Sequence, residues 1–170
     1  MMKSLVITLN GDDRSGIVES LSRIIVQHQG EWVESRMANL SGKFAGILLA
    51  KLPEESTENF KSILRSTLED LNITIESVDP ARVQNQQQSY KLDLVGQDRP
   101  GIIHRISSLL VKNGATVEDL ESEVIDASMS GEKLFKANIT LCLAEGYSID
   151  ALGEALEQLA NELIVDIELG

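Results

Sequence analysis

The chain has 170 residues, of which 42% are hydrophobic and 25% are charged, a composition typical of a folded globular protein. Its formal net charge of −12 gives DNA or RNA no electrostatic drive to bind, so direct nucleic-acid binding is disfavoured. No apolar run approaches the roughly 18 residues that a membrane span needs, and the first residues lack the apolar core of a signal peptide. We therefore expect a cytoplasmic protein without a membrane segment.

Two segments share a motif at an offset of 85 residues, measured from Ile17 to Ile102. Residues 12–18 read Asp-Asp-Arg-Ser-Gly-Ile-Val, and residues 97–103 read Gln-Asp-Arg-Pro-Gly-Ile-Ile. The apolar residues that follow also coincide, and one deleted residue then aligns residues 30–34 with residues 114–118. The chain is therefore predicted to be a tandem duplication.

Both copies predict the same order of elements. Alternating apolar residues at 5–9 and 90–94 indicate a first strand, and apolar residues at helical spacing from Ile17 and Ile102 indicate a first helix. Gly30 and Gly114 are expected to end these helices. Two strands follow in each copy, at 32–39 and 43–52 and at 117–125 and 133–143, with hairpin turns at 41–42 and 130–131.

Ser56 and Ser148 are predicted N-caps of a second helix in each copy, and β-branched runs at 73–75 and 164–167 predict the last strands. We predict domain 1 at residues 1–80, a linker at 81–89 and domain 2 at 90–170. The order β-α-β-β-α-β predicts an α+β fold of two tandem ferredoxin-like domains. Each should have an antiparallel four-stranded sheet with two helices on one face.

The loop between the first strand and the first helix has the chemistry for a small zwitterion. Gly16 and Gly101 let a ligand approach the backbone, and the free N–H groups at a helix start favour a carboxylate. Asp12, Asp13 or Asp98 could pair with the ammonium group of the same ligand. In the alternative interpretation Asp13 and Asp98 only cap or orient the helix, both glycines only permit packing, and a proline at 100 only presets the first turn.

The Asp-Arg-Pro-Gly-Ile pattern, repeated within a β-α-β-β-α-β order, resembles the ACT domain in both copies. The tandem pair is similar to the glycine cleavage system transcriptional repressor family. That resemblance implies an amino-acid-sensing regulator, responsive to glycine, that controls transcription through a partner transcription factor and is not an enzyme. The ligand-binding positions that the resemblance implies are Asp12, Asp13, Arg14, Ser15, Gly16, Ile17, Val18, Trp32, Val33, Asp98, Arg99, Pro100, Gly101, Ile102, Ile103 and Val117.

Other functions find less support in the residues. The two histidines, His28 and His104, have no matched catalytic partners, and we expect surface or capping roles for both. The alternative for His104 is a hydrogen bond at the loop site. The single cysteine, Cys142, is expected in a buried strand and excludes a Cys-x-x-Cys metal carrier, so we expect no cofactor and no metal. The acidic residues 118–123 should form a solvated strand face or a docking surface for a basic partner.

Three alternatives stay open. The chain could be an interaction module that needs no ligand, or a regulatory subunit of a metabolic enzyme. Trp32 could line a pocket or anchor packing between the domains. Homo-oligomerisation is compatible with a duplicated fold.

Overall fold

The structure, a computed structural model, describes residues 1–79, 87–127 and 129–170. The chain forms two compact units, one on either side of residues 80–86. Unit 1 contains β1 (Met2–Asp12), α1 (Ile17–Gln27), β2 (Glu31–Leu40), β3 (Lys43–Pro53), a 3-10 turn (Glu54–Ser56), α2 (Thr57–Thr67) and β4 (Asn72–Val78). Unit 2 contains β5 (Ser89–Gln97), α3 (Ile102–Lys112), β6 (Ala115–Asp126), β7 (Lys133–Leu143), α4 (Ile149–Leu163) and β8 (Val165–Leu169).

Each unit has one four-stranded antiparallel sheet, with strand order β2-β3-β1-β4 in unit 1 and β6-β7-β5-β8 in unit 2. The predicted ferredoxin-like fold, repeated in tandem, is confirmed. The first strand of each copy lies at the centre of its sheet, so the loop that leaves it emerges at the middle of one sheet end.

Each unit has its own apolar core between sheet and helices, because alternate strand residues and one stripe of each helix are apolar. The fully buried side chains of unit 1 include Leu5, Ile7, Leu9, Leu21, Leu48, Phe60 and Leu64. Those of unit 2 include Leu92, Leu94, Ile106, Leu110, Ile139, Leu141 and Leu156, all 3% exposed or less. The two cores hold the central strand and the first helix of each unit in place, and thereby fix the loop between them.

The predicted helix ends need one correction. Gly114 has the left-handed conformation (φ 69), but in unit 1 that conformation belongs to Gln29 (φ 56) and not to Gly30. The backbone N–H groups confirm the equivalence, since Gln29 bonds the carbonyl of Val26 and Gly114 bonds the carbonyl of Val111. The offset of 85 therefore continues without the predicted deletion. Trp32 is equivalent to Val117, and both strands have a register irregularity at the next residue.

The second helices also differ from prediction at one end. The hydroxyl of Ser148 accepts a hydrogen bond from the N–H of Ala151 at 3.4 Å, as expected of an N-cap. Ser56 makes no such bond, because a 3-10 turn precedes α2 and holds Ser56 in a helical conformation.

The predicted linker lies mostly outside the described residues. Its last residue, Ser89, belongs to β5, where it pairs with Cys142.

Candidate functional site: two glycine loops

Two loops of similar sequence join the central strand to the first helix of each unit. We call residues 12–18 loop A and residues 97–103 loop B. Gly16 (φ 88) and Gly101 (φ 83) are the N-cap residues of α1 and α3 and have the left-handed conformation, which glycine adopts without strain. A Cβ added at either glycine would meet no atom within 4 Å, so the space beside both is open.

Among the described residues, the first turn of α1 has free N–H donors, and so does that of α3 apart from Ile102, whose N–H donates to the carbonyl of Arg99 at 3.3 Å. Their first regular hydrogen bonds run from Ser20 N–H to Gly16 and from Arg105 N–H to Gly101, at 2.9 and 3.0 Å. Within the described residues no side chain accepts a bond from either first turn. The side chains of Asp13 and Asp98 therefore do not cap these helices, although a role in orienting them remains an alternative. The free N–H groups form the positive end of each helix dipole.

The carboxylates of loop A already have partners on the β2–β3 hairpin. Asp12 forms an ion pair with Lys43, and Asp13 accepts a hydrogen bond from the amide of Asn39. The backbone N–H of Asp13 also donates to the carbonyl of Gly42 at 2.9 Å. Loop A is thereby fastened to the hairpin, and its acidic side chains are not available to a ligand without breaking these contacts.

The arginine of loop A is also engaged. Nε and Nη2 of Arg14 donate to the two carboxylate oxygens of Asp70 at 2.6 and 2.9 Å, a bidentate arrangement. The Arg14 hydrogen bond lowers the pKa of Asp70 below its usual value, and that carboxylate raises the pKa of Arg14. The pair joins loop A to the turn that follows α2.

Loop B keeps the backbone arrangement but lacks these side-chain contacts. Asp98 N–H donates to the carbonyl of Lys133 at 2.9 Å, as Asp13 does to Gly42. In the part of the chain that the structure describes, the Asp98 carboxylate has no hydrogen bond or ion pair. Arg99 contacts only the side-chain oxygen of Gln97, at 3.4 Å. Loop B therefore presents a carboxylate and a guanidinium beside a free helix N-terminus.

The other loop residues that were predicted to bind a ligand differ in their exposure to solvent. Ile17 and Ile102 are buried in their cores, 2% and 4% exposed, so they anchor the loops and do not face a ligand. Ser15, Val18 and Pro100 are exposed, and Ile103 is half-buried against the core of unit 2.

The ligand-binding residues predicted at the start of β2 and β6 lie far from the glycine loop of the same unit. Trp32 lies across β3 from Leu5, whereas loop A begins at Asp12, at the other end of β1. The separation along the strand is about 20 Å at a rise of about 3.3 Å per residue. Val33 follows Trp32 at the same end, and Val117 lies across β7 from Tyr90, far from loop B. Trp32 packs half-buried against the core of unit 1 and donates from Nε1 to Ser35 at 3.2 Å.

Three loop partners, Lys43, Asn39 and Asp70, were not predicted from the sequence. Lys43 lies opposite Asp12 in the β1–β3 register, so an accurate strand pairing would have found it. Nothing in the sequence near Asp70 indicates that it contacts Arg14, because the two residues are 56 positions apart.

The structure places the two histidines and the cysteine as follows. His28 is 8% exposed, so the expectation of a surface role is wrong. Its Nδ1 lies 2.8 Å from the carbonyl of Ile24 and its Nε2 lies 3.2 Å from the amide of Asn59, which confirms the contact with a helix-end carbonyl. His104 is exposed. Cys142 is buried in β7, as predicted, and burial raises the pKa of its thiol.

Two grooves of unit 2 lie on its helical side, one between α3 and α4 and one along α4 and β8. Neither is lined by a residue of loop B. Over residues 1–79, 87–127 and 129–170, no group of three His, Cys, Asp or Glu side chains could hold a metal ion. None of the helices in these ranges has the length and apolar character needed to cross a membrane.

Two solved structures resemble the whole chain. A protein of unknown function from Galdieria sulphuraria superposes with a TM-score of 0.89 at 30% identity, over 99% of this chain and 98% of that one. A protein assigned as a glycine cleavage system transcriptional repressor superposes with a TM-score of 0.70 at 20% identity, over 100% of this chain and 97% of that one. At that identity the second likeness supports the fold alone.

Two curated proteins have similar sequences. A UPF0237 protein of Methanopyrus kandleri is 35% identical over 75 residues, which make up 44% of this chain and 77% of that protein. The DNA repair protein RAD50 of Saccharomyces cerevisiae is 26% identical over 121 residues, 69% of this chain, but the match spans only 8% of that protein's length.

The ACT domain family model matches twice, at residues 3–77 and at residues 92–170. These two ranges coincide with the two units, and each contains one glycine loop. The chain belongs to the ACT domain family and contains two ACT domains in tandem.

Proposed function

We propose that this protein senses a small amino acid, glycine being the first candidate, and that loop B is its binding site. The observation that carries the proposal is the arrangement at loop B, where Asp98 and Arg99 form no ion pair with any described residue beside the uncapped start of α3. An amino acid carries one carboxylate and one ammonium group, and these residues supply a counterpart for each.

The carboxylate has two kinds of donor at loop B. The first-turn N–H groups of α3 carry the partial positive charge of a helix N-terminus, and the open space beside Gly101 lets a carboxylate reach them. The guanidinium of Arg99 can add a charge-assisted hydrogen bond. Asp98 is the candidate partner of the ammonium group, and a small ligand such as glycine suits a loop with exposed backbone.

Loop A is the weaker candidate because its equivalent groups are already used. Asp13 and Arg14 hold Asn39 and Asp70, so binding a zwitterion there would first break contacts that loop B does not have. We therefore propose one principal site in each chain.

Regulation is proposed to pass through a partner transcription factor. The chain has a net charge of −12, which disfavours direct contact with DNA, so an effect on transcription requires another protein. The likeness in fold to a glycine cleavage system transcriptional repressor agrees with this route, and catalysis is not part of the proposal.

Titration calorimetry of the full chain with glycine and the other standard amino acids tests the binding site. We expect binding with about one site per chain, lost in Arg99→Gln and Gly101→Val and retained in Arg14→Gln, the matched variant of loop A. Each variant is first checked for native helix content, because Val at a left-handed position introduces backbone strain. Absence of binding by every amino acid, or equal loss in Arg14→Gln, would contradict the site.

Affinity capture from cell extract, with and without glycine, tests the partner. Recovery of a DNA-binding protein in an amount that changes with glycine supports the regulator. Binding of one metabolic enzyme, with no DNA-binding protein retained, would instead indicate an enzyme's regulatory subunit. Capture independent of any amino acid would indicate an interaction module without a ligand.

A further inference from the structure

The two units differ most on the side of the sheet that faces away from the helices, which we call the open face. Strand register identifies equivalent positions on it. Ile47 pairs with Thr8 in unit 1, and Asn138 pairs with Asp93, the equivalent of Thr8, in unit 2. Ile47 and Asn138 therefore occupy the same place on their respective sheets.

The centre of the open face is apolar in unit 1 and polar in unit 2. The apolar residues at the centre of the unit 1 face are Val6, Ala38, Ala45, Ile47 and Leu49, and Leu40 and Val78 lie nearer its ends. Their equivalents in unit 2 are Lys91, Glu123, Lys136, Asn138 and Thr140. A sheet face in contact with water normally carries polar residues, yet Ile47 is 48% exposed. The unit 1 face therefore has the composition of a surface that another protein covers.

The two faces also differ in charge, because the unit 2 face carries a larger excess of carboxylates. On the unit 1 face Asp12 is paired with Lys43, and Glu34 is paired with Arg36 at 3.2 Å. Glu31 lies opposite Lys51 at the other end of this face, and Glu76 lies opposite Val6, so the face carries four carboxylates and three basic groups. The unit 2 face carries six carboxylates and two lysines, namely Asp93, Asp119, Glu121, Glu123, Asp166, Glu168, Lys91 and Lys136. Two chains of charge −12 repel each other least where their charges are closest to balance, which is the unit 1 face.

We propose that the open face of unit 1 is a homodimer interface, packed against the same face of a second copy about a two-fold axis. A two-fold contact requires a surface that is complementary to itself. Here an apolar centre meets an apolar centre, and paired charges of both signs surround it. Two such sheets stack about 10 Å apart with their strands rotated by about 30°. The unit 2 face of the second copy is a poor occupant, because its carboxylates would lose water against apolar side chains.

The size of the face sets the expected strength of the dimer. Four strands spaced by about 4.8 Å, over about six residues each, cover roughly 400 Å² of projected area per copy. The total of roughly 800 Å² lies below the 1,200–2,000 Å² of stable complexes, so we expect a transient dimer. We therefore expect it to form only at high concentrations of the protein. This inference does not depend on ligand binding at loop B.

Sedimentation velocity of the full chain, from roughly 10 μM to roughly 1 mM, tests the interface across this range of concentration. We expect the wild type to shift from monomer to dimer, and Ile47→Lys to remain a monomer at every concentration. Asn138→Lys, the matched change on the unit 2 face, should dimerise like the wild type. Ala38→Glu provides a second test, since Ala38 is exposed on an edge strand and Glu123 is its natural equivalent.

Far-UV circular dichroism and thermal melting verify that each variant is folded before its mass is interpreted. If Ile47→Lys does not fold, Ala38→Glu decides the question. A wild type that stays monomeric at the highest concentration would overturn the proposal. A dimer that persists in the folded unit 1 variants, or that Asn138→Lys weakens equally, would do the same.

Discussion

His28 and Asn113 occupy equivalent positions at the ends of α1 and α3, and the side chain of each contacts the carbonyl group of the residue four positions earlier. Nδ1 of His28 lies 2.8 Å from the carbonyl oxygen of Ile24, and Nδ2 of Asn113 donates to the carbonyl of Leu109 at 2.9 Å. Each carbonyl also accepts the backbone N–H of the same residue, at 3.2 Å for His28 and 3.1 Å for Asn113, so the side chain adds a second bond at the helix end. His28 makes two further contacts, an edge-to-face contact with Phe60 at 5.7 Å and a hydrogen bond with Asn59.

Replacement of His28 by Asn should therefore keep part of its contribution to stability. We expect His28→Asn to lower the free energy of unfolding by about 1 kcal/mol, since the carbonyl bond survives and the packing on Phe60 is lost. His28→Ala should cost about 2–3 kcal/mol, because it leaves a cavity and also removes the side-chain bond to the Ile24 carbonyl. Urea denaturation followed by circular dichroism measures both.

Asn113→Ala is the matched variant in unit 2. It should cost about 1 kcal/mol, because Asn113 supplies only the carbonyl bond. Equal stability of His28→Asn and His28→Ala would show that the carbonyl bond contributes nothing.

The duplicated fold was predictable because its signals are local and occur twice. The spacing of apolar residues around Leu21 and Ile106 predicted a helix after the first strand in both copies. The structure buries these apolar residues, as that prediction requires. The helix end was misread because the alignment matched Gly30 to Gly114 by residue type. The left-handed position in unit 1 is Gln29, and a non-glycine residue in that conformation leaves no clear mark in a sequence.

The serines before α2 and α4 should differ in their effect on stability. Ser148→Ala removes the hydrogen bond to the Ala151 N–H and should destabilise unit 2 by about 1 kcal/mol. Ser56→Ala removes no cap bond and should change stability by less than about 0.5 kcal/mol. Thermal or chemical denaturation of the two variants compares them directly, and a larger loss in Ser56→Ala would contradict the assigned caps.

The Arg14–Asp70 pair should make part of the stability of unit 1 depend on pH. Arg14 holds the pKa of Asp70 below its ordinary value of 3.8, so the contribution is complete above that pH. It is lost as the pH falls below 3.8 and through the lowered pKa. Arg14→Gln should therefore be less stable than the wild type at pH 7, and the difference should vanish in acid. Because both side chains are exposed, salt should also reduce it.

Arg99→Gln is the control for this pH dependence. Arg99 contacts Gln97 and no carboxylate among the described residues, so this variant should show no additional loss at pH 7 that acid removes. Denaturation curves from pH 2.5 to pH 7 compare the three proteins. A difference between Arg14→Gln and the wild type that persists unchanged at the lowest pH would exclude the ion pair as its source.

The candidate site was only partly predictable, for a physical reason. Loop sequence predicted the glycine turns, because a strand-to-helix junction with Gly16 or Gly101 is a local feature. Whether the loop charges are free depends on residues distant in sequence, and Asp70 and Asn39 could not be assigned to Arg14 and Asp13 without the fold. The difference between loop A and loop B is therefore a result of tertiary structure.

Two glycines of unit 2 should respond in opposite ways to the same substitution. A Cβ at Gly96 of β5 would overlap the side chain of Val165 and lie 3.0 Å from its Cα, so β8 would have to move. Gly96→Ala should cost about 1–3 kcal/mol. A Cβ at Gly153 meets only Leu169 at 4.0 Å, and within α4 alanine is favoured over glycine. Gly153→Ala should therefore stabilise the protein by about 0.5–1 kcal/mol, because alanine loses less backbone entropy on forming the helix. Chemical denaturation measures both changes, and stabilisation by Gly96→Ala would mean that β5 and β8 approach less closely than described.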